Sequence, residues 1–280
     1  MKKVLILFCF ILCINCDYGR LKVIADLPKT LYEVSGMEYN NDSDSFWMIN
    51  DGGNANKMYE VSSKGKILED LKIDAKNHDW EDLTKDDKGT IYIADFGNNS
   101  NKRKDLVILI IEKDELSEKK AEEKKIKFSY PNQQDFPPKK SNYFFDAESV
   151  FYFNKQLYIF TKSRVKNNFG KTSLYKIPAK EGEYVAEFVA SFDSCASQDC
   201  VITSAAISPN KKKVVLLSHK SILVFTDFKN DNFFSGKSTI IDLGFATQKE
   251  SICFKDNNTV FISDERASGK GGNLYELKLY

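Results

Sequence analysis

The stretch "ESVFYFNKQLYIFTK", residues 148–162, decides the fold. An acidic residue opens a short apolar run, the polar pair Asn154 and Lys155 interrupts it, and a second apolar run follows. Two such runs around a short polar turn are typical of a β-hairpin. Two more strand-like runs follow, at residues 173–178 and 184–192. The segment therefore predicts a four-stranded antiparallel unit that begins at Glu148.

The same pattern occurs five times along the chain. The hairpin phrases cover residues 35–51, 81–95, 148–162, 204–220 and 250–265. A third strand follows each phrase, and a fourth follows all but the last, while "RLKVIADL" at residues 20–27 precedes the first unit without a partner there. Pairing that segment with the last unit closes a ring and leaves no open array of edges. We therefore predict an all-β fold, a five-bladed β-propeller of four-stranded antiparallel blades closed by its N-terminal strand.

Composition and charge exclude several classes of partner. The chain has 280 residues, 42% of them hydrophobic, and a formal net charge of +1. This hydrophobic fraction is enough to form the buried core of a globular domain. Since neither sign of charge dominates, no net field attracts nucleic acid, and we expect a monomer without a nucleic-acid partner.

The N-terminus predicts export. Residues 1–16, "MKKVLILFCFILCINC", combine a basic start with a short apolar run that ends at Cys16. This resembles a bacterial lipoprotein signal, with residues 1–15 removed and a lipid attached to Cys16. An ordinary secretory signal cleaved nearby is the alternative. We expect residues 16–280 to form one propeller domain, anchored through that lipid to a membrane of the bacterial cell envelope.

The remaining cysteines have different predicted roles. Cys195 and Cys200 flank a polar loop, where a local disulfide and two free thiols are both open outside the cytosol. Cys253 lies in a strand pattern and reads as a small core residue. With His78 and His219 as the two histidines and no paired Cys-x-x-Cys motifs, a zinc site is not expected.

Aligned on their first residues, the five units place polar groups together. The inner strands of a propeller surround one narrow channel, and the aligned residues are Ser35, Glu81, Glu148, Ser204 and Glu250. Three carboxylates around one axis repel one another unless a cation compensates them. Calcium accepts six to eight oxygen ligands at about 2.3–2.6 Å. The alignment predicts an axial calcium site, with a water-filled polar channel as the alternative.

At this point the sequence resembles the calcium-activated nucleotidases, or apyrases. The resemblance rests on the axial order Ser, Glu, Glu, Ser, Glu and on blade spacings in which the second blade is longest. It implies a five-bladed propeller with calcium on the axis and nucleotide hydrolysis at the channel mouth. Asp51, in "NDGGN", matches the second acid of the family's first-blade turn, although Asn50 replaces the first. Arg164 lies where the family carries basic residues.

Two functions follow for the channel mouth. The first is a calcium-dependent hydrolase of nucleotides or other phosphoesters, with Asp51, Asp95 and Arg164 as candidate catalytic residues. The second is a non-catalytic propeller that binds a small molecule or a protein, in which calcium only holds the blades together. Further polar residues of the same rim are His78, Asp79, Lys162, His219 and Glu265. The sequence leaves both functions open.

Overall fold

The computed structural model describes residues 19–267 and 269–279. The predicted signal segment and Cys16 lie outside the described residues. Within them, no helix has the length and apolar character needed to cross a membrane. The helices are short 3-10 turns at Lys29–Leu31, Lys113–Ser117, Lys140–Asn142, Gln198–Cys200 and Phe233–Ser235.

Alternating apolar runs and polar turns form five antiparallel sheets, the blades, around a central channel. Each inner strand contacts the inner strands of both neighbouring blades, so the ring is closed. Blade 1 comprises Val34–Asn40, Ser45–Asn50, Lys57–Ser62 and Ile67–Ile73; blade 2 comprises Trp80–Lys85, Ile91–Asp95, Val107–Ile111 and Lys124–Ser129. Blade 3 comprises Asp146–Phe153, Gln156–Lys162, Lys171–Pro178 and Glu187–Asp193; blade 4 comprises Ile202–Ile207, Lys213–Ser218, Ser221–Thr226 and Lys237–Asp242. The predicted fold is confirmed.

Blade 5 joins the two ends of the chain. Its strands Lys249–Phe254, Thr259–Asp264 and Asn273–Lys278 are completed by Lys22–Asp26, which pairs antiparallel with the last of them. The unpartnered N-terminal segment therefore supplies the missing outer strand, as predicted. This pairing covers the edge that the final strand would otherwise expose.

The predicted fourth strand at residues 184–192 is divided between two blades. Glu187–Asp193 completes blade 3, but Gly182–Val185 pairs parallel with the outer strand of blade 2. Lys120–Ala121 extends blade 1 in the same way, by a parallel pairing with Ile67–Ile73. Two blades therefore carry a fifth strand, because a connecting segment finds backbone partners on the free edge of the blade before it.

Apolar side chains fill the spaces between blades. Between blades 3 and 4, Phe151, Phe160 and Phe233 are buried in one cluster, with ring centroids of Phe151 and Phe233 5.2 Å apart. Cys253 is buried in the cluster between blades 5 and 1, as predicted from its strand pattern. Cys195 and Cys200 form a disulfide, which resolves the alternative left open by the sequence.

Candidate functional site

A register shift begins every inner strand. We call the end where inner strands begin the upper face. There, one extra residue stands opposite the second strand in each blade, a β-bulge that re-aims side chains near the axis. The residues at the shift are Ser35, Glu81, Glu148, Thr203 and Glu250.

The sequence alignment of blade 4 was wrong by one residue. Thr203, and not Ser204, stands at the shift, because Ile202 and Ser204 are the paired residues on either side of it. Thr203 donates a hydrogen bond from Oγ1 to the Lys249 carbonyl, 2.6 Å away. Its hydroxyl therefore links blade 4 to blade 5.

Ser204 lies one layer deeper, opposite a buried acid. Its hydroxyl donates to Oδ2 of Asp82, 3.2 Å away across the channel from blade 4 to blade 2. The same oxygen of Asp82 accepts from the Val150 N–H, and Oδ1 accepts from the Leu83 N–H. Ser204 and Asp82 are 0% and 2% exposed, so this hydrogen bond lies in the interior beneath the upper face.

Above that layer lies a polar cavity of about 230 Å³, which we call the axial pocket. Its lining includes four of the five predicted metal ligands and two of the three predicted catalytic residues. The lining residues are Glu33, Ser35, Asp51, Gly52, Glu81, Asn99, Glu148, Lys162, Arg164, Gln248, Glu250 and Glu265. The structure thus brings Ser35, Glu81, Glu148 and Glu250 together, with Asp51 and Arg164, and leaves Ser204 and Asp95 outside.

On the blade 3 side of the pocket, two cationic side chains neutralise the Glu148 carboxylate. Lys162 Nζ lies 2.8 Å from Oε2 of Glu148, and Arg164 Nη2 lies 2.9 Å from Oε1. Arg164 also pairs with Asp146, 2.5 Å away, and donates to Asn99. Burial alone would raise the pKa of Glu148, but Lys162 and Arg164 lower it below its ordinary value. Both oxygens of Glu148 are therefore already engaged.

On the blade 2 side, three acids lie together, and among the described residues none of the three forms an ion pair with a lysine or arginine. One carboxylate oxygen from each of Asp51, Asp79 and Glu81 lies within 4.8 Å of the other two. We call this group the carboxylate triad. Asn77 holds its two chain segments together, since its side chain donates to the Asp51 carbonyl at 2.8 Å and accepts from the Trp80 N–H at 3.1 Å.

Two glycines make room for the triad. A Cβ on Gly97 would lie 2.1 Å from Oε1 of Glu81 and 2.4 Å from Oδ2 of Asp79. A Cβ on Gly52 would lie 2.5 Å from Oδ1 of Asp79. Any larger residue at either position would displace these carboxylates, so backbone packs directly against the oxygens.

The electrostatics of the triad oppose ionisation. Burial, with contributions from the carboxylates of Asp79, Glu148 and Glu250, raises the pKa of Asp51 to about 7. Burial likewise raises the pKa of Asp79, and it raises that of Glu81 well above the ordinary range, with Glu148 contributing further. These acids are more basic than usual because desolvation and mutual repulsion disfavour their charged forms.

Blade 5 contributes the opposite wall of the pocket. His219 Nε2 lies 3.2 Å from Oε1 of Glu250, and Glu265 accepts a hydrogen bond of 2.9 Å from Gln248. Burial, with contributions from the carboxylates of Glu250 and Asp51, raises the pKa of Glu265 to about 8. Acids therefore outnumber bases around the pocket.

Asp95 has a structural role near the pocket. It is 1% exposed, pairs with Arg103 at 2.9 Å and with His78 Nδ1 at 3.2 Å, and accepts from the Asp79 N–H. Its carboxylate therefore supports the loop that carries Asp79. Asp264, the last residue of the second strand of blade 5, is also internal, because it accepts from the Tyr275 hydroxyl and the Asn273 N–H.

The sequence placed Asp79 and Lys162 on the rim but did not select them as catalytic or metal-binding residues. Asp79 precedes the inner strand by one residue, so counting from the first strand residue misses it. Lys162 ends the second strand of blade 3, at the same end as Asp51 in blade 1 and Asp95 in blade 2. The signal was available, since adjacent strand ends meet at one face of a propeller.

Comparisons with known proteins give a family but no activity. No curated protein matches the chain. Among solved structures, a catalytically inactive variant of virginiamycin B lyase from Staphylococcus aureus with quinupristin is similar at 11% identity and a TM-score of 0.44, covering 89% of this chain and 67% of that one. A chain of a nidogen/laminin complex is similar at 9% identity and a TM-score of 0.46, covering 84% and 73%. Likeness at this level carries no information about function.

The sequence itself matches a defined family. The profile of the SdiA-regulated family matches residues 20–265, from the strand that closes blade 5 to the rim residue Glu265. The match spans all five inner strands. The predicted relationship to the calcium-activated nucleotidases stays a prediction. The chain belongs to the SdiA-regulated family.

Proposed function

We propose that the protein is a calcium-binding propeller, with the ion held by the carboxylate triad. The observation that carries the proposal is the carboxylate triad packed against Gly52 and Gly97, which we call the glycine cradle; within the described part of the chain, its three acids form no ion pair with a lysine or arginine. Hard oxygen donors of this kind suit calcium, and the pocket mouth leaves room for the water ligands it requires. Bound calcium would neutralise carboxylates that otherwise resist ionisation.

The proposed ligand set differs from the axial ring expected from the sequence. Asp51, Asp79 and Glu81 supply the carboxylates. Glu148 is excluded because Lys162 and Arg164 occupy its oxygens, and the Ser35 hydroxyl donates to the Trp80 carbonyl at 2.8 Å. Glu250 faces the same pocket and is available to hydrogen-bond a water on the ion.

The test is the melting temperature in calcium, magnesium and chelator. A ligand at a hundred times its Kd stabilises the folded state by about 2.7 kcal/mol, so calcium should raise the melting temperature clearly and magnesium less. Glu81→Gln should abolish most of this response. Glu33→Gln is the matched control, because Glu33 lines the same pocket outside the triad. An unchanged response in Glu81→Gln, or none in the native protein, would reject the proposal.

A second candidate, calcium-dependent phosphoester hydrolysis, is favoured by one observation. Asp51 and Arg164 line the same pocket, and the pKa of Asp51, raised to about 7, suits a general base near neutral pH. Phosphate release from nucleoside di- and triphosphates, with calcium present or chelated, tests it. Asp51→Asn should remove activity without unfolding the chain. If the intact protein turns over no phosphoester in a broad panel, the binding function remains.

We further propose export and lipid anchoring at Cys16. The Cys195–Cys200 disulfide supports an oxidising compartment, where such bonds persist. Fractionation of bacterial cells that express the native chain or Cys16→Ser tests the anchor. The mutant should leave the membrane fraction, and unchanged membrane association would remove the proposal.

A further inference from the structure

We propose that the lower face of blades 4 and 5 rests on an anionic bilayer surface, with the axial pocket directed away from it. The inference rests on the proposed anchoring at Cys16 for its cellular setting. Three features of the described chain carry it: the position of the first strand, the short distance to Cys16, and the distribution of charge.

The first described residues lie beside blades 4 and 5, with Gly19 against the backbone of Leu243 and Gly244 and Arg20 toward the lower end of blade 5. Lys22 pairs with Glu276 and Asp26 with Asn273, so Lys22–Asp26 runs antiparallel to Asn273–Lys278. That partner strand ends beside Thr259, at the lower end of blade 5. Lys22 therefore lies in the half of this strand pair nearer the lower face. Arg20, two residues earlier, lines a depression there with Asn258 and Lys278.

The distance to the proposed lipid is short. Cys16 precedes Gly19, the first described residue, by three positions. Each extended residue spans at most about 3.3–3.6 Å, so the connection reaches about 10 Å. A lipid on Cys16 would therefore lie within about 10 Å of Gly19, near the Arg20 end of blade 5.

Basic side chains surround this entry point. We call the group the basic patch, and its members are Arg20, Lys22, Lys211, Lys212, Lys213, Lys255 and Lys278. Contacts join the members across blades 4 and 5: Lys213 donates to the Asn257 carbonyl at 3.1 Å, and Lys22 and Lys255 both pair with Glu276. Nearby acids are also Asp87, which pairs with Lys211, Asp256, and Asp44, whose charge contributes to the raised pKa of Lys255.

The two faces therefore differ in charge. The axial pocket is lined mainly by carboxylates, whereas bases outnumber acids in the basic patch. Anionic headgroups attract juxtamembrane lysines and arginines and repel carboxylates within about one Debye length. Charge and chain entry thus favour the same orientation.

The experiment uses residues 17–280 without lipid, which include every described residue, and measures cosedimentation with vesicles in chelator. Phosphatidylcholine vesicles are compared with vesicles that also contain phosphatidylglycerol, at low and high salt. The test variant is Lys212→Glu with Lys278→Glu, both exposed in the patch. The matched control is Lys102→Glu with Lys166→Glu, both exposed in loops on the pocket side. Melting temperatures confirm that each variant is folded.

We expect salt-sensitive binding to the anionic vesicles, reduced at least about tenfold in the patch variant and at most about twofold in the control. Equal loss in both variants, or native binding no stronger to anionic than to neutral vesicles, would overturn the inference. The two proposals fail in different experiments. If the lipid anchor is absent, Cys16→Ser leaves the cell fractionation unchanged. Vesicle binding is measured on the lipid-free chain, so its result does not depend on the anchor.

Discussion

Glu81 and Glu148 occupy the same position in neighbouring blades, yet they have opposite surroundings. Each is the residue at the register shift of its inner strand, and each is buried. Glu148 faces Lys162 and Arg164 from the second strand and following loop of its own blade. Glu81 faces Asp51 and Asp79 instead. The comparison teaches that an axial acid is compensated locally, by protein cations in blade 3 and, in our proposal, by calcium in blade 2.

The largest expected effect comes from removing the blade 3 cation. Lys162→Met leaves Glu148, which is buried, with Arg164 alone, and breaking a buried pair costs about 3–5 kcal/mol. Calcium should restore part of this loss, because an oxygen of Glu148 becomes available. Denaturant unfolding with and without calcium measures both effects.

Lys176→Met is the matched control for that change. Lys176 pairs with Glu187 and Asp231 at a partly solvated position of the same blade, where ion pairs contribute about 1 kcal/mol or less. Equal losses in the two variants would contradict the assigned role of Lys162.

The next effect comes from closing the glycine cradle of blade 2. Gly97→Ala places a Cβ 2.1 Å from Oε1 of Glu81 and must displace the triad. We expect a stability loss of about 1–3 kcal/mol from overpacking and a calcium affinity reduced at least about tenfold. Titration calorimetry gives the affinity.

Gly170→Ala provides the control for overpacking itself. Its Cβ would lie 2.3 Å from the Cys195 carbonyl oxygen, far along the chain from the triad. Stability should fall while calcium affinity is retained. Loss of affinity in both glycine variants would mean that the cradle has no specific role.

Titration of pocket acids that have no paired lysine or arginine among the described residues should give a smaller effect. The pKa values of Asp51 and Glu265 are raised to about 7 and about 8 in the folded state. Such groups bind more protons folded than unfolded, so the metal-free protein should lose stability as the pH rises between about 5 and about 8. Calcium should oppose this trend, since its ligands must be deprotonated. Unfolding in chelator that is independent of pH over this range would contradict it.

The smallest effect concerns blade 4, where the shifted position carries no acid. Thr203→Val removes the hydrogen bond to the Lys249 carbonyl and should cost about 1 kcal/mol. The calcium response should not change, because Thr203 lies outside the axial pocket lining. Thermal melting with and without calcium checks both. A weakened calcium response in this variant would show that the ion lies on the axis and not on the triad.

Most of the fold could be predicted because its signals are local. Apolar alternation and turn residues repeat in each blade, and the spare segment at residues 20–27 had one open edge to fill. The division of residues 184–192 between two blades could not be predicted. Gly182–Val185 and Glu187–Asp193 both have the pattern of a strand, and this pattern does not say which blade each one joins. Which edge each one joins depends on a neighbouring blade.

The sequence by itself determined that acids meet at one end of the propeller, since strand ends of successive blades share a face. Only the tertiary structure decided which acids remain uncompensated. At the register shift of blade 4 stands Thr203, where the sequence predicted Ser204. The carboxylate of Glu148 forms an ion pair with Lys162. Gly97 has no side chain, which leaves space for the carboxylates of Asp79 and Glu81 to lie side by side. The physical reason is distance: electrostatic compensation depends on contacts of a few ångströms between residues far apart in the chain, and spacing along the sequence does not specify them.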